Sequence, residues 1–243
     1  MSIQLDGTVV STTMRTPGND FELAVGFCHT EGLLAGTAVS GVRYCADGSA
    51  VDSDFNVVTV ETGGRAPEPT PRLVGTSSSC GWCGSEQLDE MLERLPPLPP
   101  TAPIPLDVLR AVPSVVTGRQ GLFDATGAVH AAAAFERDGS VRLVREDVGR
   151  HNAVDKVVGA RLLSGDLPAT GLGLFVSGRA SVEMVQKAWS AGFGTLVAVS
   201  APTALAVDAA RRAGLVLAGF VRDDRLNVYA PERLDRTDVS DLG

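Results

Sequence analysis

Two cysteines three positions apart, Cys80 and Cys83, sit in the stretch Ser77-Ser78-Ser79-Cys80-Gly81-Trp82-Cys83-Gly84. Thiols at this spacing have three readings: half of a zinc site, a dithiol that carries sulfur or electrons, or incidental residues. A structural zinc site needs about four ligands. The other candidates, Cys28, His29, Cys45, His130 and His151, contain no second pair at metal spacing. Cys28 and His29 fall in a helical pattern and read as packing or surface residues. After the thiols, Leu88, Met91, Leu92 and Leu95 recur at spacings of three and four, which predicts a helix over Ser85–Leu95 with Ser85 as N-cap. The free amides of a helix start favour a thiolate. Glu86, Asp89 and Glu90 in the same turn oppose it. The serines and glycines around the pair predict a mobile loop.

A second set of polar residues gathers where strand patterns hand over to helix patterns. Such junctions are where layered α/β domains bind ligands. Arg145 to Lys156 is densely charged and reads equally as an internally salt-bridged loop or a binding loop containing Arg150. Ser177-Gly178-Arg179-Ala180-Ser181 joins small residues, which let amides approach an anion, to a guanidinium that can grip it. Read blandly, it is a plain helix cap. Ser200-Ala201-Pro202-Thr203 opens another helix. Phe220-Val221-Arg222-Asp223-Asp224-Arg225 places arginine beside an aromatic ring, a pairing suited to a phosphate and a stacked base. Its bland reading is a polar turn between edge strands. Convergence of these ends predicts a pocket for a phosphorylated, ring-bearing ligand such as a nucleotide. Neither a GxGxxG turn at a strand end nor a P-loop is present.

The elements that must position these groups follow from the hydrophobic pattern. Residues 1–95 read as a smaller mixed α/β region: strands Ile3–Met14 around Asp6-Gly7, a helix Phe21–Leu34 capped by Asn19, then strands Val39–Cys45 and Phe55–Val60. Residues 96–105 are rich in proline and predict a semi-stiff connector and domain boundary. Residues 106–243 read as a layered α/β domain with a partly parallel sheet. Its elements are a short helix Leu106–Val112 ahead of Pro113, a hairpin across Asp138-Gly139, and strands alternating with helices to Tyr229. At 243 residues, 44% hydrophobic and 21% charged, the chain has an ordinary globular composition. A net charge of −8 argues against a general nucleic-acid binder. No secretory signal or membrane span is legible, so a cytoplasmic protein with free thiols is expected.

These stretches are similar to those of the formate dehydrogenase accessory sulfurtransferase family (FdhD type). The residues that carry the resemblance are Met14-Arg15-Thr16-Pro17, Leu23 to Phe27, Glu31-Gly32, Ser79 to Gly84, Thr126 to Ala132, Glu146 to Lys156, Ser177-Gly178-Arg179 with Ser181 and Glu183, Ser200 to Thr203, and Phe220 to Tyr229. The Asp147–Lys156 stretch is the most specific. The resemblance implies a cytoplasmic homodimer whose C-terminal domain is similar to the cytidine deaminase fold. It implies transfer of persulfide sulfur from a cysteine desulfurase to the molybdenum cofactor, Mo-bis(molybdopterin guanine dinucleotide), for formate dehydrogenase. By position, Cys80 is then the persulfide carrier and Cys83 its companion, and Phe220, Val221, Arg222, Asp223, Asp224 and Arg225 bind the cofactor. No metal site, nucleic-acid partner or membrane partner is expected.

Three other functions compete. A zinc deaminase needs H-x-E followed by P-C-x-x-C, but His130-Ala131-Ala132 lacks the glutamate and Ser79 replaces the proline. A dithiol oxidoreductase wants its thiols directly after a strand, where this chain has serines. A non-catalytic cofactor-binding chaperone needs the second region but not Cys80.

Overall fold

The computed structural model describes residues 1–45, 50–51, 53–68, 93, 95–222, 225–231 and 234. Cys80, Cys83, most of the expected Ser85–Leu95 helix, Asp223 and Asp224 lie outside the described residues.

The N-terminal strands β1 (Ser2–Leu5) and β2 (Thr8–Thr12) form a hairpin. Its turn residues Asp6 and Gly7 both take positive φ, 46° and 89°, as a tight hairpin turn with matching twist requires. With β3 (Gly41–Tyr44) and β4 (Val57–Glu61) they make a four-stranded sheet in the order β2-β1-β4-β3. Helix α1 (Asp20–Thr30) covers one face, where Ile3, Leu5, Val58 and Val60 meet Ala24, Val25 and Cys28. The helix is shorter than the apolar pattern predicts. Gly32, at φ 72°, turns the chain after Thr30, and Leu34 reaches the core from the turn instead. Asn19 precedes α1 in the left-handed region and makes no side-chain cap bond.

Between the sheets, the proline-rich residues 96–105 lie extended against the second layer. The indole of Trp189 donates to the Pro96 carbonyl at 2.7 Å, and the Leu98 amide donates to Ala213 at 3.0 Å. Leu98 and Ile104 are buried. Helix α2 (Leu106–Thr117) then runs straight through Pro113, where the sequence predicts a stop. Leu106, Leu109, Val112 and Val116 continue one buried stripe past the proline, so burying the last turn outweighs one lost amide bond. A short helix α3 (Gly121–Thr126) was not legible in the sequence. The Glu146 carboxylate, distant in sequence, accepts its Leu122 and Phe123 amides at 2.9 and 2.8 Å.

The second sheet has six strands in the order β10-β9-β8-β7-β5-β6. They are β5 (His130–Phe135), β6 (Val141–Asp147), β7 (Gly173–Val176), β8 (Thr195–Ala198), β9 (Val216–Arg222) and β10 (Arg225–Ala230). Strands β7, β8 and β9 are parallel; β5, β6 and β10 run against their neighbours. Side chains alternate between two cores. Ala132, Ala134, Leu174 and Leu196 face helices α4 (Arg150–Leu163), α5 (Val182–Ser190) and α6 (Ala204–Ala213). Ala131, Ala133, Phe135, Phe175 and Val197 face α2. The expected partly parallel sheet between helical layers is present.

The two halves meet where α1 crosses α4. Gly26 and Gly159 face one another there. A Cβ on Gly26 would coincide with the Asp155 carbonyl oxygen, and one on Gly159 with that of Glu22. Neither glycine has a positive φ, so close backbone approach alone excludes a side chain. Around this crossing, Lys187 on α5 donates to Asp155 at 2.9 Å, Thr30 Oγ1 at 2.8 Å and Glu31 at 3.1 Å. Burial disfavours that ammonium, yet Asp155 and Glu31 raise its pKa overall. Arg145 forks onto Glu22, and His29 reaches the Ser190 carbonyl at 3.1 Å.

Alanine is a better helix former than glycine by about 1 kcal/mol. At this crossing the sign inverts: Gly26→Ala or Gly159→Ala will lower stability by about 3 kcal/mol, the upper end of overpacking costs. Urea unfolding checks this, and an unchanged or raised midpoint would contradict the crossing.

Candidate site on the rim of the second sheet

The sheet topology gathers the junctions onto one edge. The parallel strands β7, β8 and β9 end on the same side. Because β5 runs against β7, its first residue His130 lies beside the end of β7, and His130 also pairs with Asp147 at the end of β6. The hairpin between β9 and β10, with Arg222 opposite Arg225, closes the far end. The loops are bonded into a row. Ala180 donates to the Ala201 carbonyl at 3.2 Å, Thr203 to Ala180 at 3.0 Å, Ser200 to Gly178 at 3.4 Å, and Phe220 to Ser200 at 3.2 Å. The convergence expected from sequence is therefore present.

The charged β6–α4 junction is largely a structural staple. Asp147 accepts from the Thr16 amide at 3.1 Å, the Gly149 amide at 2.9 Å and Asn152 Nδ2 at 2.9 Å, and pairs with Lys156 at 2.8 Å. Lys156 also donates to the Thr16 carbonyl at 3.0 Å and to that of Glu146 at 3.2 Å. Asn152 donates to the Met14 carbonyl at 2.8 Å. Asp147, Asn152, Asp155 and Lys156 are all buried. Of the equal readings of this stretch, internal pairing accounts for Asp147, Asn152 and Lys156, whereas Asp155 pairs outward with Lys187 on α5 and Thr30 on α1. The arrangement also binds residues 13–16 of the N-terminal segment to the turn that presents Arg150 and His151.

Arg150 and His151 are left over. Arg150 Nε and His151 Nε2 are buried without a hydrogen-bond partner among the described residues, as is Ser181 Oγ at the start of α5. Arg150 stands against Gly178: a Cβ there would lie 3.6 Å from Arg150 Cδ and equally far from His130 Nδ1. Ser177 Oγ accepts from the Ala131 amide at 2.9 Å and lies 3.4 Å from His130 Nδ1. Burial first, and then the Arg150 guanidinium, lower the His130 pKa. Burial, Lys187, Arg150 and His130 together push His151 down to about 3. Both imidazoles are thus neutral at pH 7. His130 and His151 were considered in the sequence only as metal candidates. What places His130 in the site is the β5–β7 pairing, which joins strands far apart in the chain and leaves no local signal. Among the described residues no cluster of His, Cys, Asp or Glu is arranged to hold a metal ion.

At the other end, Phe220 is 48% exposed and sits at φ 54°, an uncommon conformation for a bulky residue. Such strain costs about 1–3 kcal/mol and persists where the surroundings impose it. The imposition is visible at Gly219, whose Cβ would press to 2.9 Å from Pro202 and 3.1 Å from the Tyr229 ring. Arg222 and Arg225 are exposed, whereas Val221 is buried in the α2 layer. Val221 anchors the strand and offers no side chain to the rim. Arg179 is exposed between the two ends. The structure thus brings Arg150, Ser177, Arg179, Phe220, Arg222 and Arg225 to one edge.

Comparison with known proteins agrees with this architecture. The model of the FdhD/NarQ family matches residues 1–235. A relative from Streptomyces coelicolor named "Sulfur carrier protein FdhD" is 48% identical over 239 residues, covering 95% of this chain and 84% of its own. One of the same name from Mycolicibacterium paratuberculosis is 45% identical over 243 residues, covering 97% and 89%. The solved "Crystal structure of a putative formate dehydrogenase accessory protein from Desulfotalea psychrophila" superposes with a TM-score of 0.75 at 26% identity, over 96% of this chain and 88% of that one.

The neutral His151, half-buried with its Nε2 enclosed, has a pH signature. Its folded pKa of about 3 lies below the ordinary 6.5, so the unfolded chain binds the extra proton between those values. Stability from this residue is complete above pH 6.5 and is lost as pH falls towards 3, with a slope of up to about 1.4 kcal/mol per pH unit. Denaturant unfolding of His151→Gln will show that much less acid sensitivity than the parent chain. Parallel curves would contradict a neutral imidazole.

Proposed function

The chain belongs to the FdhD/NarQ family, and on that premise we propose that it is a sulfur carrier and sulfurtransferase that serves formate dehydrogenase. It takes persulfide sulfur from a cysteine desulfurase onto Cys80 and delivers it to the molybdenum cofactor, the substrate, as Mo-bis(molybdopterin guanine dinucleotide). In the first step the Cys80 thiolate attacks the outer sulfur of the donor's persulfide. The new S–S bond forms on Cys80 and the donor leaves as a thiolate, so no outside oxidant is needed. In delivery a nucleophilic group of the cofactor attacks the outer sulfur and the Cys80 thiolate leaves. In the alternative release, the Cys83 thiolate attacks Cys80 Sγ, closing the disulfide and expelling the outer sulfur as hydrosulfide.

The observation that carries the reading is the rim. Arg222 and Arg225 stand opposite each other on paired strands, although like charges so placed repel. Phe220 beside them holds an exposed ring in a strained conformation. A guanine base stacked on that ring and a pyrophosphate between the arginines would turn both costs into binding energy. Asp223 and Asp224 belong to the same proposed segment, as do Arg150, Ser177 and Arg179 along the edge. A cytoplasmic homodimer and a C-terminal layer of the cytidine deaminase type complete the proposal. No helix among the described residues is long and apolar enough to cross a membrane.

Incubation with a cysteine desulfurase and cysteine will add one sulfur to the intact mass, mapped to Cys80, and Cys80→Ala will abolish it while guanine-nucleotide binding survives. An undiminished yield of sulfurated cofactor with Cys80→Ala would instead favour a non-catalytic cofactor chaperone. Arg222→Ala will weaken guanosine diphosphate binding about tenfold, the loss of one charge-assisted hydrogen bond. Equal affinity by calorimetry would remove the hairpin from the site.

A further inference from the structure

Helix α3 has no core beneath it. None of its residues is buried, and Leu122 and Phe123 present large apolar side chains to solvent, 42% and 41% exposed. A helix of one and a half turns does not hold itself together in water. Among the described residues, its hydrogen bonds to distant parts of the chain run from the Leu122 and Phe123 amides to the Glu146 carboxylate on β6. Val148, two positions beyond Glu146, is 49% exposed. The fold thus spends a carboxylate on holding a leucine and a phenylalanine outside its own core, beside the outermost strand of the second sheet. Apolar residues scattered singly on a surface carry no message, but a group held in place without a core marks an interaction surface.

We propose that this edge, α3 together with β6, is where two copies of the chain meet about a two-fold axis near the middle of β6. The inference rests on the homodimer of the reading above and names its surface from the charges along the edge. Arg119 donates to the Val141 carbonyl at 2.7 Å, at the start of β6. Asp124 belongs to α3, which is bonded to Glu146 near the other end of the strand. Val141 and Glu146 lie about 17 Å apart along an extended chain. Arg119 and Asp124 are both exposed, and neither forms an ion pair among the described residues. An axis through Val144 reverses the strand, so the Arg119 end of each copy meets the Asp124 end of the other. Each α3 then lies against the stem of Arg119 and against Val115, which is exposed one turn before it on α2. A net charge of −8 drives two copies apart elsewhere, whereas here the two charges cancel. The contact is made by side chains and not by strand pairing. The carbonyls of Val141, Val144 and Glu146 already accept from Arg119, Arg145 and Lys156, which blunts β6 as a template for another strand.

Sedimentation equilibrium of the full chain measures the dimer dissociation constant. Leu122→Asp combined with Phe123→Asp is expected to weaken dimerisation about a hundredfold or more. Because α3 buries none of its residues, that variant is expected to keep the circular dichroism and unfolding midpoint of the parent. Arg119→Glu and Asp124→Arg are each expected to weaken the dimer about tenfold, since each change acts twice across the axis. Combined in one chain, they are expected to restore it. A dimer indifferent to the Leu122 and Phe123 changes, or charge reversals that fail to rescue one another, would overturn this surface and leave a homodimer formed elsewhere. A parent chain that sediments as a monomer would overturn the homodimer too, while the sulfur-carrier reading would still stand or fall on the mass measurement at Cys80.

Discussion

At the centre of the molecule, the α1 and α4 backbones approach until each carbonyl stands where the other helix would carry a side chain. The β6–α4 end of the rim depends on that approach. It brings Glu22, Thr30 and Glu31 of the first layer within reach of Arg145, Asp155 and Lys187 of the second. It also brings the segment Thr13–Thr16 onto the β6–α4 turn, where Thr16 exchanges bonds with Asp147, Val148 and Lys156. A methyl group at Gly26 would push the helices apart and stretch each of these bonds. Packed interiors do not absorb such a shift smoothly.

Charge in this protein is mostly used for alignment. Buried ion pairs contribute little net stability, because desolvation cancels much of the attraction. Their value here is positional. Asp147 accepts from several donors that come from both halves of the chain, so the turn carrying Arg150 and His151 has one orientation. Against that background, Arg150, whose Nε is buried without a partner among the described residues, stands apart from the paired charges around it. The same logic applies to Phe220, whose strained backbone and exposed ring do nothing for the core.

Much of the layout was legible locally. The Asp6-Gly7 and Asp138-Gly139 turns, the strand–helix alternation after residue 129 and the small residues at 177–181 all report their structure through nearest neighbours. Where the reading failed, a distant partner decided. Pro113 signals a helix end, but Val116 had a core to enter. Helix α3 is too short to show a period and rests on Glu146. The charged Arg145–Lys156 stretch could not be divided into staple and site from its order alone, since Thr16 and Glu22 supply the partners that tell them apart.

The sequence by itself determined the classes of element, the family, the thiol pair and the rim residues from Ser177 to Arg225, because these are written in short-range pattern and residue type. Only the tertiary structure decided that His130 stands beside Gly178 and Arg150, that Val221 turns inward, and that Gly26 meets Gly159. Those facts come from strand order and helix crossing. Both join residues separated by dozens of positions, and neither leaves a periodicity in the chain to be read.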